Sequence, residues 1–126
     1  MSEVHAKEPL TSASATVSKA TVRAARALGL TNTAIAVILG LSEATISRLS
    51  AGTFMLDRES KPYELALLLV RLFRSLDAIV GGEEAPMRGW MQSPNAALGG
   101  VPAERIKTVT GLVEALSYVD GARARI

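Results

Sequence analysis

The sequence predicts an all-α protein, and three features point that way. Alanine, leucine, valine and isoleucine dominate an apolar fraction of 48%, whereas aromatic residues make up only 4%. Sheets are enriched in aromatic as well as β-branched side chains, so this balance favours helices. Apolar positions recur at three- and four-residue spacing in several segments, and no alternating run marks a strand. Glycine, serine, threonine and proline stand at the ends of those segments, where helices start and stop.

Taken in order, residues 1–17 (MSEVHAKEPLTSASATV) read as a disordered tail. Ser and Thr are frequent, Pro9 interrupts, and large apolar residues are sparse. A helix is expected from Ser18 as N-cap, with Val22, Ala25, Ala27 and Leu28 on its apolar face and Gly29 as its left-handed stop. A short helix follows from Asn32 or Thr33 to Leu39, ended by Gly40. Another begins after Ser42, with Glu43 in its first turn, and stops near Gly52. Residues 53–60 form a connector. Lys61-Pro62 opens a long helix to Val80, before Gly81-Gly82, with Leu65, Leu68, Leu69, Leu72, Phe73, Leu76, Ile79 and Val80 forming one broad stripe. Glu83-Glu84 opens a short helix with Met87, Trp90 and Met91, which Ser93-Pro94-Asn95 breaks. Leu98-Gly99-Gly100 turns into Pro102, and a last helix runs through Ala103–Val119 with Ile106, Val109, Val113 and Leu116 as its stripe. Asp120-Gly121 is expected to stop it, leaving a mobile tail from Ala122 to Ile126. The divisions are then 1–17 (tail), 18–60 (first helical unit) and 61–126 (long helix and C-terminal unit).

Composition removes several classes of function. A chain of 126 residues holds one domain, or two small ones sharing a core. It contains no cysteine, which excludes a disulfide scaffold, a thiol nucleophile and a Cys-ligated zinc and fits a reducing cytoplasm. The single histidine, His5, falls in the expected tail, so neither a Ser-His-Asp triad nor a His-rich metal site can be assembled, and no cofactor or metal is implied. Glu83 and Glu84 are adjacent and would point about 100° apart on a helix, which suits a helix N-terminus rather than an acid–base pair. Gly99-Gly100 lacks the longer glycine pattern and following lysine of a phosphate loop. The most apolar stretch, Leu65 to Val80, carries Arg71, Arg74 and Asp77 and is shorter than the roughly 20 apolar residues of a membrane span.

The most informative stretch is TNTAIAVILGLSEATISRLSAG, residues 31–52. Two short helices joined by a few residues must cross steeply. Ala36 is small enough to let them approach, Gly40 supplies the positive φ of the turn, and Ile35, Leu39, Leu41, Ile46 and Leu49 fill the wedge between them. In such a helix-turn-helix the second helix reads DNA. Its N-terminal part and outward face carry Ser42, Glu43, Ala44, Thr45, Ser47, Arg48 and Ser50, hydroxyls and a guanidinium suited to base edges and phosphates. The net charge of the chain is only +2, but Lys19, Arg23, Arg26 and Arg48 oppose Glu43 alone within residues 18–52, so cations are concentrated in this unit. An ordinary helical hairpin with solvated charges is the competing reading.

Beyond this motif, the order of features carries a resemblance. The long apolar helix is followed by Arg88-Gly89-Trp90-Met91, then Pro94-Asn95-Ala96-Ala97-Leu98-Gly99-Gly100, Pro102-Ala103-Glu104 and a late Thr110-Gly111-Leu112. Over residues 20–126 this resembles the Xre/MbcA/ParS-like antitoxins, partners of RES-domain toxins. The resemblance implies an antitoxin that binds and blocks a toxin of ADP-ribosyl-transferring or NAD-degrading type and represses its own operon; a homodimer is expected, and an enzyme is not, since neither a nucleophile–base pair nor a metal cluster can be assembled. It implies that Trp90, Pro94, Asn95, Leu98, Gly99 and Pro102 build the toxin-binding domain, with Asp120, Gly121, Arg123, Arg125 and Ile126 approaching the toxin's cleft. Read from the residues alone, Trp90 suits a core anchor better than an interface residue, and Asn95 suits turn chemistry. The alternative function is a phage-type repressor without a toxin partner, its C-terminal half serving only for dimerisation.

Overall fold

A computed structural model describes residues 2–125, with side chains from residue 13 onward; Ile126 and the side chain of His5 lie outside the described residues. Seven α-helices and one 3₁₀ turn account for the order of elements there. They are α1 (Ser2–Ala27), α2 (Asn32–Leu39), α3 (Glu43–Ala51), α4 (Lys61–Val80), α5 (Glu84–Gln92), the 3₁₀ turn Ala96–Leu98, α6 (Pro102–Arg105) and α7 (Val109–Ala124). Among the described residues no strand forms, only a single-residue bridge between Asn95 and Gly100.

The spine is α4. Ser60 caps it by accepting from the Tyr63 N–H, Pro62 stands in its first turn, and Gly81 ends it at φ 67°. Helices α1 and α2 pack against it from the N-terminal half, α5 and α7 from the C-terminal half. Leu65, Leu69, Leu72 and Leu76 are buried in one continuous cluster with Leu28, Leu39 and Ile46 on one side and Met87, Met91, Ile106, Leu112 and Val119 on the other. Burying a leucine or methionine fully contributes about 1.5–3 kcal/mol, so this shared helix dominates the fold. Its stripe is narrower than the sequence predicts at its end, where Ile79 is exposed.

Helix α1 begins far upstream of Ser18, which corrects both the expected N-cap and the expected disorder. Ser14, Ser18 and Thr21 lie on its buried side. The Ser18 hydroxyl accepts the backbone N–H of Leu56 at 2.9 Å, and Thr21 donates to the Val17 carbonyl at 2.6 Å. Small hydroxylated residues read as tail in a composition argument. Here Ser18 and Thr21 sit on the buried side with their hydroxyls bonded, and their small size lets the helix lie close to its neighbours.

The last helical segment is also divided. Pro102–Arg105 and Val109–Ala124 are separate helices, because Thr108 caps a new start by accepting from the Gly111 N–H at 3.0 Å. The restart changes the buried face: Gly111, Leu112, Ala115, Leu116 and Val119 face inward, and the expected Val109 and Val113 face solvent. At Gly111 a Cβ would collide with the Arg105 carbonyl, so glycine is required where α7 crosses the end of α6.

Two substitutions of the same kind should therefore differ in sign. Gly111→Ala is expected to destabilise by about 3 kcal/mol or more, since backbone must move to admit the methyl group. Gly89→Ala, inside α5 with open space around it, should stabilise by about 0.5–1 kcal/mol. Urea unfolding of both variants checks the pair.

Candidate nucleic-acid interface and partner-binding domain

Helices α2 and α3 bend away from each other by 106°, within the range of a helix-turn-helix. Local chemistry sets this geometry. Thr31 caps α2 by accepting from the Ala34 N–H. Gly40 adopts φ 72° at its end, so that its own N–H and that of Leu41 both reach the Ala36 carbonyl. Ser42 then caps α3 by accepting from the Thr45 N–H at 3.1 Å. Ile35, Ala36, Leu39, Ile46 and Leu49 are buried between the helices, and Leu41 packs half-buried against them, as their spacing predicts.

Of the residues expected to read DNA, Ser42, Glu43, Ala44, Ser47 and Arg48 are exposed, while Thr45 and Ser50 are half-buried. Their polar atoms are already ordered. Arg48 donates through Nη2 to Thr45 Oγ1 at 3.0 Å, Ser42 and Thr45 share a hydroxyl hydrogen bond at 2.8 Å, and Glu43 accepts from Thr33 at 2.9 Å. The four cations that the sequence groups together are divided in space. Arg48 stands on the outer face of α3. Lys19, Arg23 and Arg26 gather on α1 beside Ser50 and Gly52, in a groove completed by Arg88 of α5. Arg88 also donates to the Arg26 carbonyl at 3.2 Å, and its stem lies over Gly29. Sequence reasoning missed this contact, since nothing local links positions 26, 29 and 88.

In the C-terminal half, Asn95 does the turn chemistry expected of it. Its side chain accepts from the Leu98 N–H at 3.2 Å, and its backbone exchanges hydrogen bonds with Gly100. Leu98 is buried below this loop, and Trp90 is half-buried against the core. The expected stop at Asp120-Gly121 and the mobile tail are corrected: α7 continues through both residues to Ala124, and Gly121 has no positive φ. The reason is a tether to α4. Asp120 accepts from Ser75 and from Arg71 (3.2 Å), and Arg123 donates to the same Ser75 hydroxyl at 3.4 Å. Val119 is buried beneath, so the last turn is held from two sides. Arg125 is exposed at the helix end, and Ile126 lies outside the described residues. The available signal was Ser75, a polar residue on the buried stripe of α4, with Arg71 one turn before it.

Among the described residues no three His, Asp or Glu side chains come together as metal ligands, and no single helix is long and apolar enough to cross a membrane.

The fold thus defines the class, a helix-turn-helix protein carrying a second, helical domain. Residues 10–71 match the model of the antitoxin Xre-like helix-turn-helix domain, and residues 75–125 match that of the antitoxin Xre/MbcA/ParS C-terminal toxin-binding domain. No curated protein sequence matches the chain. The chain belongs to the Xre/MbcA/ParS-like antitoxins, with one domain for DNA and one for a toxin, and both domains point to a regulatory rather than an enzymatic role. The two matched regions meet within α4, between residues 71 and 75.

The Asp120 tether generates a stability prediction. Asp120→Ala removes both of its acceptor bonds at a partly exposed site and should cost about 1–2 kcal/mol. It should also fray the last turn of α7, read as faster amide exchange at residues 121–124.

Proposed function

We propose that this antitoxin binds and blocks a RES-domain toxin that consumes or transfers from NAD, and that it represses its own operon as a homodimer in the cytoplasm. The observation that carries the reading is the union, on one helical chain, of an exposed recognition helix and a toxin-binding domain sharing α4. The RES identity of the toxin rests on the resemblance stated above.

For DNA, α3 enters the major groove with its N-terminal part foremost. Ser42 and Thr45 lie near phosphates, and Glu43, Ala44, Ser47 and Arg48 meet base edges or backbone. Arg48 exchanges its bond to Thr45 for one to DNA, while Ser50 supports the helix against α1. For the toxin, Trp90, Asp120, Gly121, Arg123 and Arg125 remain the contact candidates implied by the resemblance, and Asn95 and Leu98 serve by building the loop. Arg123 then acts from an ordered helix rather than from a free tail.

Two measurements test this. Footprinting of the chain's own promoter should show a salt-sensitive inverted repeat with half-sites about 34 Å or a multiple apart, and Arg48→Ala should weaken binding by about 1–3 kcal/mol. Absence of protection removes the repressor role. Co-expression with the neighbouring reading frame, followed by mass determination, should give a stable complex whose NAD consumption is suppressed. A complex without NAD turnover on release of the antitoxin would reject the RES assignment.

A further inference from the structure

Helix α3 is short of positive charge. It carries one cation, Arg48, and one acid, Glu43, so it brings no net charge to a duplex. Arg48 is moreover bonded to Thr45. Proteins draw much of their affinity for a duplex from cations that neutralise several phosphates. With a neutral reading helix, those cations must stand elsewhere in the fold.

Such charge is concentrated beside the end of α3. Lys19, Arg23 and Arg26 follow one another at four- and three-residue spacing, which sets them along one face of α1. Arg88 of α5 joins them, its stem over Gly29 and its Nη2 donating to the Arg26 carbonyl at 3.2 Å. That bond engages one of the five N–H donors of a guanidinium. All four side chains are exposed, and none enters an ion pair among the described residues. They line one groove, where Glu84 is the one acid among the described lining residues. The groove wall also includes Ser50, Ala51 and Gly52, the C-terminal end of α3 and its cap. At 1.5 Å per residue the nine residues of α3 span about 13 Å, whereas a major groove is about 8.5 Å deep. Entering with its N-terminal part foremost, α3 leaves its last turn at the level of the phosphate rim. The cations stand beside that turn.

We propose that the groove of Lys19, Arg23, Arg26 and Arg88 holds the phosphate backbone that flanks the site read by α3, so that the toxin-binding domain itself touches DNA through Arg88. Guanidinium groups match phosphate oxygens bidentately, and contacts to the backbone fix register without reading sequence. The groove therefore supplies affinity and orientation, and α3 supplies discrimination. The inference rests on the DNA-binding reading above. It adds to that reading a contact outside the helix-turn-helix and gives residue 88, in the matched region 75–125, a part in it.

The test measures binding of the full chain to its promoter fragment and to an unrelated duplex of equal length across a salt series. Arg23→Gln and Arg88→Gln alter exposed sites, so folding should be retained. Each should weaken both complexes by the same factor and lower the slope of log affinity against log salt by about 0.9. Hydroxyl-radical footprints of both variants should lose backbone protection at the flanks and keep it at the centre of each half-site. Arg74→Gln, at an exposed arginine of α4 outside the groove, should change neither slope nor footprint. Slopes equal to wild type in both groove variants overturn the proposal. An unchanged slope in Arg88→Gln alone overturns the part given to the toxin-binding domain, since Arg88 then only holds the end of α1. Groove variants that keep the slope but lose the product of the neighbouring reading frame also overturn it, and assign the groove to an acidic protein. If wild type binds neither duplex, the DNA-binding reading itself fails, and the groove contact with it.

Discussion

The structure depends on α4 being buried from both sides. Its leucines contact the helix-turn-helix unit on one side and the C-terminal helices on the other, within one continuous apolar cluster. A single helix of 20 residues thereby joins both units in one core. The helix-turn-helix unit, through α1 and α2, and the toxin-binding domain, through α5 and α7, pack on the same helix, and only a few residues of α4 separate the two matched regions.

Polar contacts decide how the outer helices sit on this spine. The Ser18–Leu56 bond ties α1 to the connector, Arg88 ties α5 to the end of α1, and Asp120 ties α7 to α4. Each joins segments far apart in sequence. Apolar burial alone is non-directional and would tolerate sliding along α4, whereas a hydrogen bond to one defined atom selects a register. Exposed ion pairs such as Lys61–Glu64 and Lys107–Glu104 add little to this.

The outer faces of α3 and α7 are chemically distinct. The outer face of α3 is polar and carries Arg48, while the outer side of α7 mixes exposed Val109, Val113 and Tyr118 with Ser117 and with Glu114, which pairs with Arg105. A third feature, the cationic groove of Lys19, Arg23, Arg26 and Arg88, spans both halves of the chain. It places positive charge away from the outer face of the recognition helix, so a simple count of cations in the N-terminal unit overstates what α3 itself presents.

What the sequence by itself determined were the features set by neighbours within a turn or two. The all-α class, the Thr31 to Gly52 motif with its Gly40 turn and Ser42 cap, the start and end of α4, and the Asn95 loop all follow from short-range capping, φ preference and apolar period. What only the tertiary structure decided were features whose causes lie elsewhere in the chain. Ser18 lies inside α1 rather than at its start, with its buried hydroxyl accepting from Leu56 in the connector. The phase of α7 is set by Gly111 crossing the Arg105 carbonyl, and that phase turns Val109 and Val113 outward. Helix α7 passes Gly121 because Ser75 and Arg71, more than forty positions earlier, hold Asp120. Local signals are readable because their partners are adjacent. The position of a partner many residues away exists only once the chain has folded.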